Sequence, residues 1–153
     1  MLAYNGLSKR EMVLSKIAAF AALGVAMFPC ACPGHPESRA FAQEIPYLHG
    51  ASAAVMFAIL AFFCREFHQR AQAKGYVQAE RRARIYATCG IVIVLSMAVM
   101  GVDVASDDAI SEIFPKLTFA GEAVALVAFG VSWLTASKVV PGLANQSERL
   151  TLG

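Results

Sequence analysis

The stretch LTFAGEAVALVAFGVSWL, residues 117–134, holds one charged residue, Glu122, among apolar and small side chains. As a helix it would cover about 27 Å, close to the ~30 Å hydrocarbon layer of a bilayer. Three further apolar runs, 12–28, 47–64 and 85–102, have similar length and almost no charge inside them. Lys16 lies one turn inside the first run, where its stem can reach the headgroups.

A 153-residue chain that is 58% hydrophobic is too apolar for a soluble protein with an ordinary charged surface. Four such runs also leave few amphipathic segments to shield them from water. The expected fold is therefore all-α: an integral membrane four-helix bundle, a single transmembrane domain over residues 1–153, with helices near 12–28, 47–64, 85–102 and 117–137.

Orientation follows from the cations. Lys9, Arg10 and Lys16 precede or open the first run; Arg65, Arg70, Lys74, Arg81, Arg82 and Arg84 fill the middle connection; Lys138 and Arg149 follow the last run. Only Arg39 and Lys116 fall in the other two connections. The positive-inside rule then puts both termini and the middle connection in the cytoplasm, an N-in/C-in protein of a bacterial inner membrane. The middle connection, REFHQRAQAKGYVQAERRAR, is mostly helix-compatible with Gly75 at its turn, so the second and third helices are expected to run past the bilayer. Its charge either sets topology or forms a patch for anionic lipid. The first run is read as a retained helix, because Ala40-Phe41-Ala42, which imitates a signal cleavage site, lies too far beyond it.

In lipid, helices associate through close fit, and small residues at helical spacing mark faces of approach. Gly50, Ala54, Ala58 and Ala61 form one such stripe, Gly121, Ala125, Ala128 and Ser132 a second, and Gly90 and Gly101 serve the third run.

Glu122 lies five residues below Leu117, about 7.5 Å into the outer part of the bilayer. A carboxylate there is costly unless paired, solvated or protonated, so it is expected to face protein. Partners at that level are His49, which opens the second helix, Asp103, which ends the third, and Lys116, just above the fourth; Glu122 with His49 is the preferred pair, and Glu122, His49 and Asp103 form the expected polar cluster. A neutral Glu122 that merely ties helices together is the plainer alternative.

Cys30, Cys32 and His35, in FPCACPGHPE, bring two thiols and an imidazole into the first outward connection, the elements of a soft-metal or thiol site. The same stretch, with Pro29, Pro33 and Pro36, also suits a plain turn. Cys64 and Cys89 sit at the opposite end of their helices, about 30 Å away, so a relay of thiol pairs across the membrane fails. They read as small buried thiols. His49 and His68 are nineteen residues apart on one helix, ~28 Å, and cannot share a haem iron. A small four-helix drug exporter is expected to carry its glutamate in the first helix with a weak charge bias, the reverse of this pattern. No cofactor and no nucleic-acid partner is expected.

The segment EAVALVAFGVSWL, residues 122–134, resembles the closing helix of a family of uncharacterised bacterial polytopic inner-membrane proteins, in which a Glu precedes a Phe-Gly-x-Ser-Trp-Leu ending. Weaker echoes are YNG at 4–6, GVAMFP at 24–29, LHGASAAVMF at 48–57 and RIYATCG at 84–90. The resemblance implies that Glu122, His49 and Trp133 belong to a shared design, and it implies no reaction. Longer members look as though they carry further N-terminal helices that this chain lacks, and the Cys30-x-Cys32 pair is foreign to the pattern.

The expected function is a non-enzymatic membrane protein: a helical accessory or assembly subunit that packs against other membrane proteins or itself, with Trp133 as an interface anchor. The alternatives are a small proton- or cation-coupled transporter using Glu122, His49 and Asp103, and an outward metal or thiol site at Cys30, Cys32 and His35.

Overall fold

A computed structural model describes residues 8–28, 47–137, 140, 142 and 143. Among them helix accounts for 85% and there is no strand. The helices are α1 (Lys9–Met27), α2 (Leu48–Gln72), α3 (Val77–Ala105), the short α4 (Ala109–Ile113) and α5 (Leu117–Ala136). Three of them, α2, α3 and α5, are long and apolar enough to cross a membrane. The similar-length α1 is not one of these, since it carries Lys9, Arg10, Glu11 and Lys16.

Helix ends depart from the apolar runs for a local reason. α2 continues past Cys64 to Gln72, and α3 begins at Val77, before its apolar run opens at Ile85. Glu, Gln, Arg and Ala in these extensions are good helix formers, so the backbone stays helical after hydrophobicity stops. Gly75 turns the chain between them at φ +68, the left-handed region where a Cβ is penalised.

The chain divides into two compact units, Met1–Ile59 and Leu60–Gly153. In the first, Ser8 caps α1: its Oγ accepts from the Glu11 amide at 3.3 Å and donates to Glu11 Oε1 at 3.0 Å. The Ser8 hydroxyl thus satisfies one open amide of the first turn, and the Glu11 carboxylate in turn fixes that hydroxyl. Near the other end of α1, a Cβ on Gly24 would stand 2.4 Å from Ser52 Oγ, so glycine permits the close approach of α1 to the start of α2.

In the second unit α2 and α3 form an antiparallel hairpin. Cys64 lies beside Gly90, the Phe67 ring is 5.6 Å from that of Tyr86, and His68 Nδ1 donates to the Ala83 carbonyl at 2.8 Å. α5 packs antiparallel along α3, with Gly121 against the Met100 thioether. The core is aromatic and small by turns: Phe63, Cys64, Ile93, Ala125 and Ser132 are fully buried.

The outside of α3 and α5 is apolar. Ile91, Leu95, Val102, Phe119 and Val127 are all exposed, between 58% and 74%. Polar groups inside and large aliphatic groups outside suit a hydrocarbon surround, whereas a monomer in water rarely bares contiguous apolar patches of this kind.

One expected packing face is corrected. Gly50, Ala54 and Ala58 are exposed, and the buried residues of α2, among them Ala53, Met56, Phe57, Leu60, Phe63 and Cys64, lie on another face. Large side chains gain more dispersion contact than small ones where surfaces interlock, so the bulky face of α2 took the interior. Gly101 is likewise exposed.

Candidate functional site

Glu122 sits on α5, six residues into that helix, and is half-buried. Its neighbour Gly121 turns toward α3, where the two helices leave an apolar groove of about 360 Å³ lined by Leu95, Val99, Met100, Leu117, Gly121 and Val124 among others. Ser96 is the polar side chain in that lining, and Glu122 does not belong to it. Groove and carboxylate therefore lie on adjacent faces of α5, about 100° apart, as successive helical residues must.

His49 stands at the first turn of α2, in the first unit. Its Nδ1 bonds the Phe28 carbonyl at 2.7 Å. Phe28 is the C-cap of α1, so the imidazole meets a backbone oxygen at the negative end of that helix.

Asp103, near the end of α3, is buried and fully engaged by the segment that follows it. Its Oδ1 accepts from the amides of Ile110 and Ser111, each at 2.9 Å, and its Oδ2 accepts from the Ser111 hydroxyl. The carboxylate thereby caps α4 from outside that helix. Asp108, the residue in the N-cap position, cannot do so: its backbone is left-handed at φ 63 and it makes no side-chain cap bond. Asp107 shares that conformation at φ 54, so the chain reverses through two aspartates, a residue type that tolerates it better than most. Hydropathy gave no hint of α4 or of this cap. The signal available was local: Ser106, Asp107 and Asp108 cluster as turn formers just before AISEI.

Trp133 is half-buried rather than bare. Its ring lies 6.0 Å from that of Phe67 and 5.8 Å from that of Phe129, so the indole is a packing element of the second unit. Phe67 also meets Phe63 at 6.3 Å, which makes it the point where α2, α3 and α5 are held by aromatic contact. Beside it, the buried Cys64 thiol donates to Ser132 Oγ at 3.3 Å, and Cys89 is a second buried free thiol.

Cys30, Cys32 and His35 lie outside the described residues. Among the described residues, no group of three or more His, Cys, Asp or Glu is placed to hold a metal ion.

Among the described residues these features define an all-helical fold with three helices long and apolar enough to cross a membrane and a sparse set of polar side chains. Compared with family models, with curated proteins and with solved structures, the chain finds no match.

Proposed function

We propose that this chain is a non-enzymatic integral membrane protein that serves as a helical accessory or assembly subunit. In this reading it is a multi-pass protein of a bacterial inner membrane, a four-helix bundle with both ends in the cytoplasm and α1 as the fourth span. The observation that carries the reading is the open apolar groove between α3 and α5. Its lining is almost wholly aliphatic, with Ser96 as its polar side chain, and it includes the small residue Ala120, which lets a neighbouring helix approach closely. Other membrane proteins or a second copy of the chain are the partners of such a surface. Trp133 anchors the chain near the cytoplasmic interface through the aromatic cluster it belongs to.

A second reading rests on Glu122, a half-buried carboxylate on an otherwise uncharged helix. Ionisable groups in such helices commonly serve ion or proton pathways, and His49 and Asp103 would assist. Glu122→Gln separates the two readings. Under the subunit reading the variant changes assembly in mild detergent, seen in what co-purifies, and leaves proton flux into vesicles unaltered. Flux lost with assembly intact would reverse that order. The outward site at Cys30, Cys32 and His35 is checked apart from both, by metal analysis and by thiol alkylation of the purified chain.

A further inference from the structure

The α2–α3 hairpin, residues 65–84, contains six Lys and Arg against Glu66 and Glu80, a net charge of +4. The two carboxylates are taken up within their own helices, Glu66 with Arg70 at 3.6 Å and Glu80 with Arg84 at 2.9 Å. Arg82 is buried, its Nη2 donating to the Tyr76 hydroxyl at 2.7 Å. Arg65 and Arg81 differ from these: both are exposed, and neither makes an ion pair or side-chain hydrogen bond among the described residues.

Their placement is specific. Arg65 directly follows the apolar run that ends at Cys64. On α3 the exposed residues Arg81, Arg84, Thr88, Ile91 and Leu95 recur at spacings of three and four, one continuous face of the helix. That face begins with guanidinium groups and ends as bare aliphatic surface. Where such a face enters a bilayer, its charged end stands at the level of the phosphates, and its flank is covered by lipid rather than by open water.

We propose that this hairpin carries a binding surface for anionic phospholipid headgroups, with Arg65 and Arg81 as its uncommitted phosphate ligands. A guanidinium offers a fork of donors that matches two phosphate oxygens, and the remaining net charge favours a headgroup that brings a negative charge of its own. A soluble acidic protein is the poorer fit, because the face that carries Arg81 continues into hydrocarbon-facing residues such as Ile91 and Leu95. The inference rests on the membrane reading of the helices and is independent of the subunit role and of which leaflet the hairpin faces.

The test uses the full chain in phosphatidylcholine vesicles with spin-labelled phosphatidylglycerol or phosphatidylcholine as the probe, read by electron paramagnetic resonance. The chain should restrict phosphatidylglycerol in preference to phosphatidylcholine by roughly five- to twenty-five-fold, at about fivefold for each of the two arginines. Arg65→Gln with Arg81→Gln should reduce that preference to near one, and Arg65→Lys with Arg81→Lys should keep most of it. Equal restriction of the two probes by the native chain, or a preference that survives the Gln pair, overturns the proposal while leaving the membrane reading in place. A chain that restricts neither probe overturns both. Displacement of the labelled lipid by millimolar glycerol phosphate would assign the surface to a soluble phosphate and equally overturn it.

Discussion

Cys64 and Ser132 meet in the interior of the second unit, the thiol donating to the hydroxyl at 3.3 Å. Both residues are fully buried, and Gly90 lies against Cys64 from the third side, so α2, α3 and α5 come together here over small side chains. The hydrogen bond itself is weak, since a thiol is a poor donor. Space is the stronger constraint. Ser132→Ala should therefore cost less than about 1 kcal/mol, whereas Ser132→Leu, which forces carbon atoms between three helices, should cost about 1–3 kcal/mol. Unfolding in mixed detergent micelles measures both, and a leucine variant as stable as the alanine variant would count against close packing at this point.

Phe67 supplies the complementary prediction, loss of bulk rather than gain. In an aqueous core Phe→Ala costs ~3–5 kcal/mol through transfer and cavity terms together. Between lipid-solvated helices the transfer term largely vanishes, because hydrocarbon surrounds the side chain in either state, so Phe67→Ala should cost about 2 kcal/mol from lost dispersion and the cavity. Trp133, the chain's one tryptophan, reports locally. Its ring is 6.0 Å from Phe67, so the substitution should alter the emission maximum and raise quenching by acrylamide. Phe62→Ala, a ring in contact with Phe63 and not with the indole, should leave emission nearly unchanged.

How much of this is legible in the sequence depends on the length scale of the signal. The bulk runs that became α2, α3 and α5 were visible because a membrane span is an average over some twenty residues, which single substitutions hardly disturb. Helix ends were not, since Glu66, Gln69 and Arg70 stop the hydropathy of α2 without stopping its helix. The small-residue stripes were half informative. Ala125 and Ser132 are buried, while Ala54 and Ala58 are exposed, because small size permits approach without saying which face has a partner. At the candidate site the types of residue were readable and the geometry was not. His49 reaches the Phe28 carbonyl, twenty-one residues away, and Asp103 the amides of Ile110 and Ser111 across a short turn, bonds that leave no periodic signature in the sequence.

Asp103 gives a test of that last point. An Asp103→Ala substitution removes the acceptor from two α4 amides and one hydroxyl, and should cost about 1–2 kcal/mol, as loss of a helix cap does. Asp103→Asn keeps a carbonyl oxygen for the amides and should recover about half of that loss. Amide hydrogen exchange at Ile110 and Ser111 reads the cap directly: both should exchange faster in the alanine variant, with helix α5 protected as before. Uniform loss of protection across α3 and α5 would mean that the carboxylate holds the unit rather than the turn.

Glycine substitutions separate close approach from mere composition, and the sign of the effect decides. In an open helical position Gly→Ala gains about 0.5–1 kcal/mol, because alanine loses less backbone entropy on ordering. Gly101 is exposed, with nothing within 4 Å of a Cβ built there among the described residues, so Gly101→Ala should stabilise by that amount. Gly24 is the opposite case. A Cβ there would meet Ser52 Oγ at 2.4 Å and Ser52 Cβ at 3.0 Å, so the hydroxyl must rotate away and the helices must part by some tenths of an ångström. Overpacking of this kind costs about 1–3 kcal/mol and should outweigh the propensity gain, leaving Gly24→Ala destabilised. Ser52→Ala removes the nearer atom, so the double variant Gly24→Ala with Ser52→Ala should regain stability relative to Gly24→Ala alone. Thermal unfolding of the four proteins in one detergent completes the cycle. Stabilisation by Gly24→Ala, or additivity of the two changes, would remove the close contact between α1 and the start of α2.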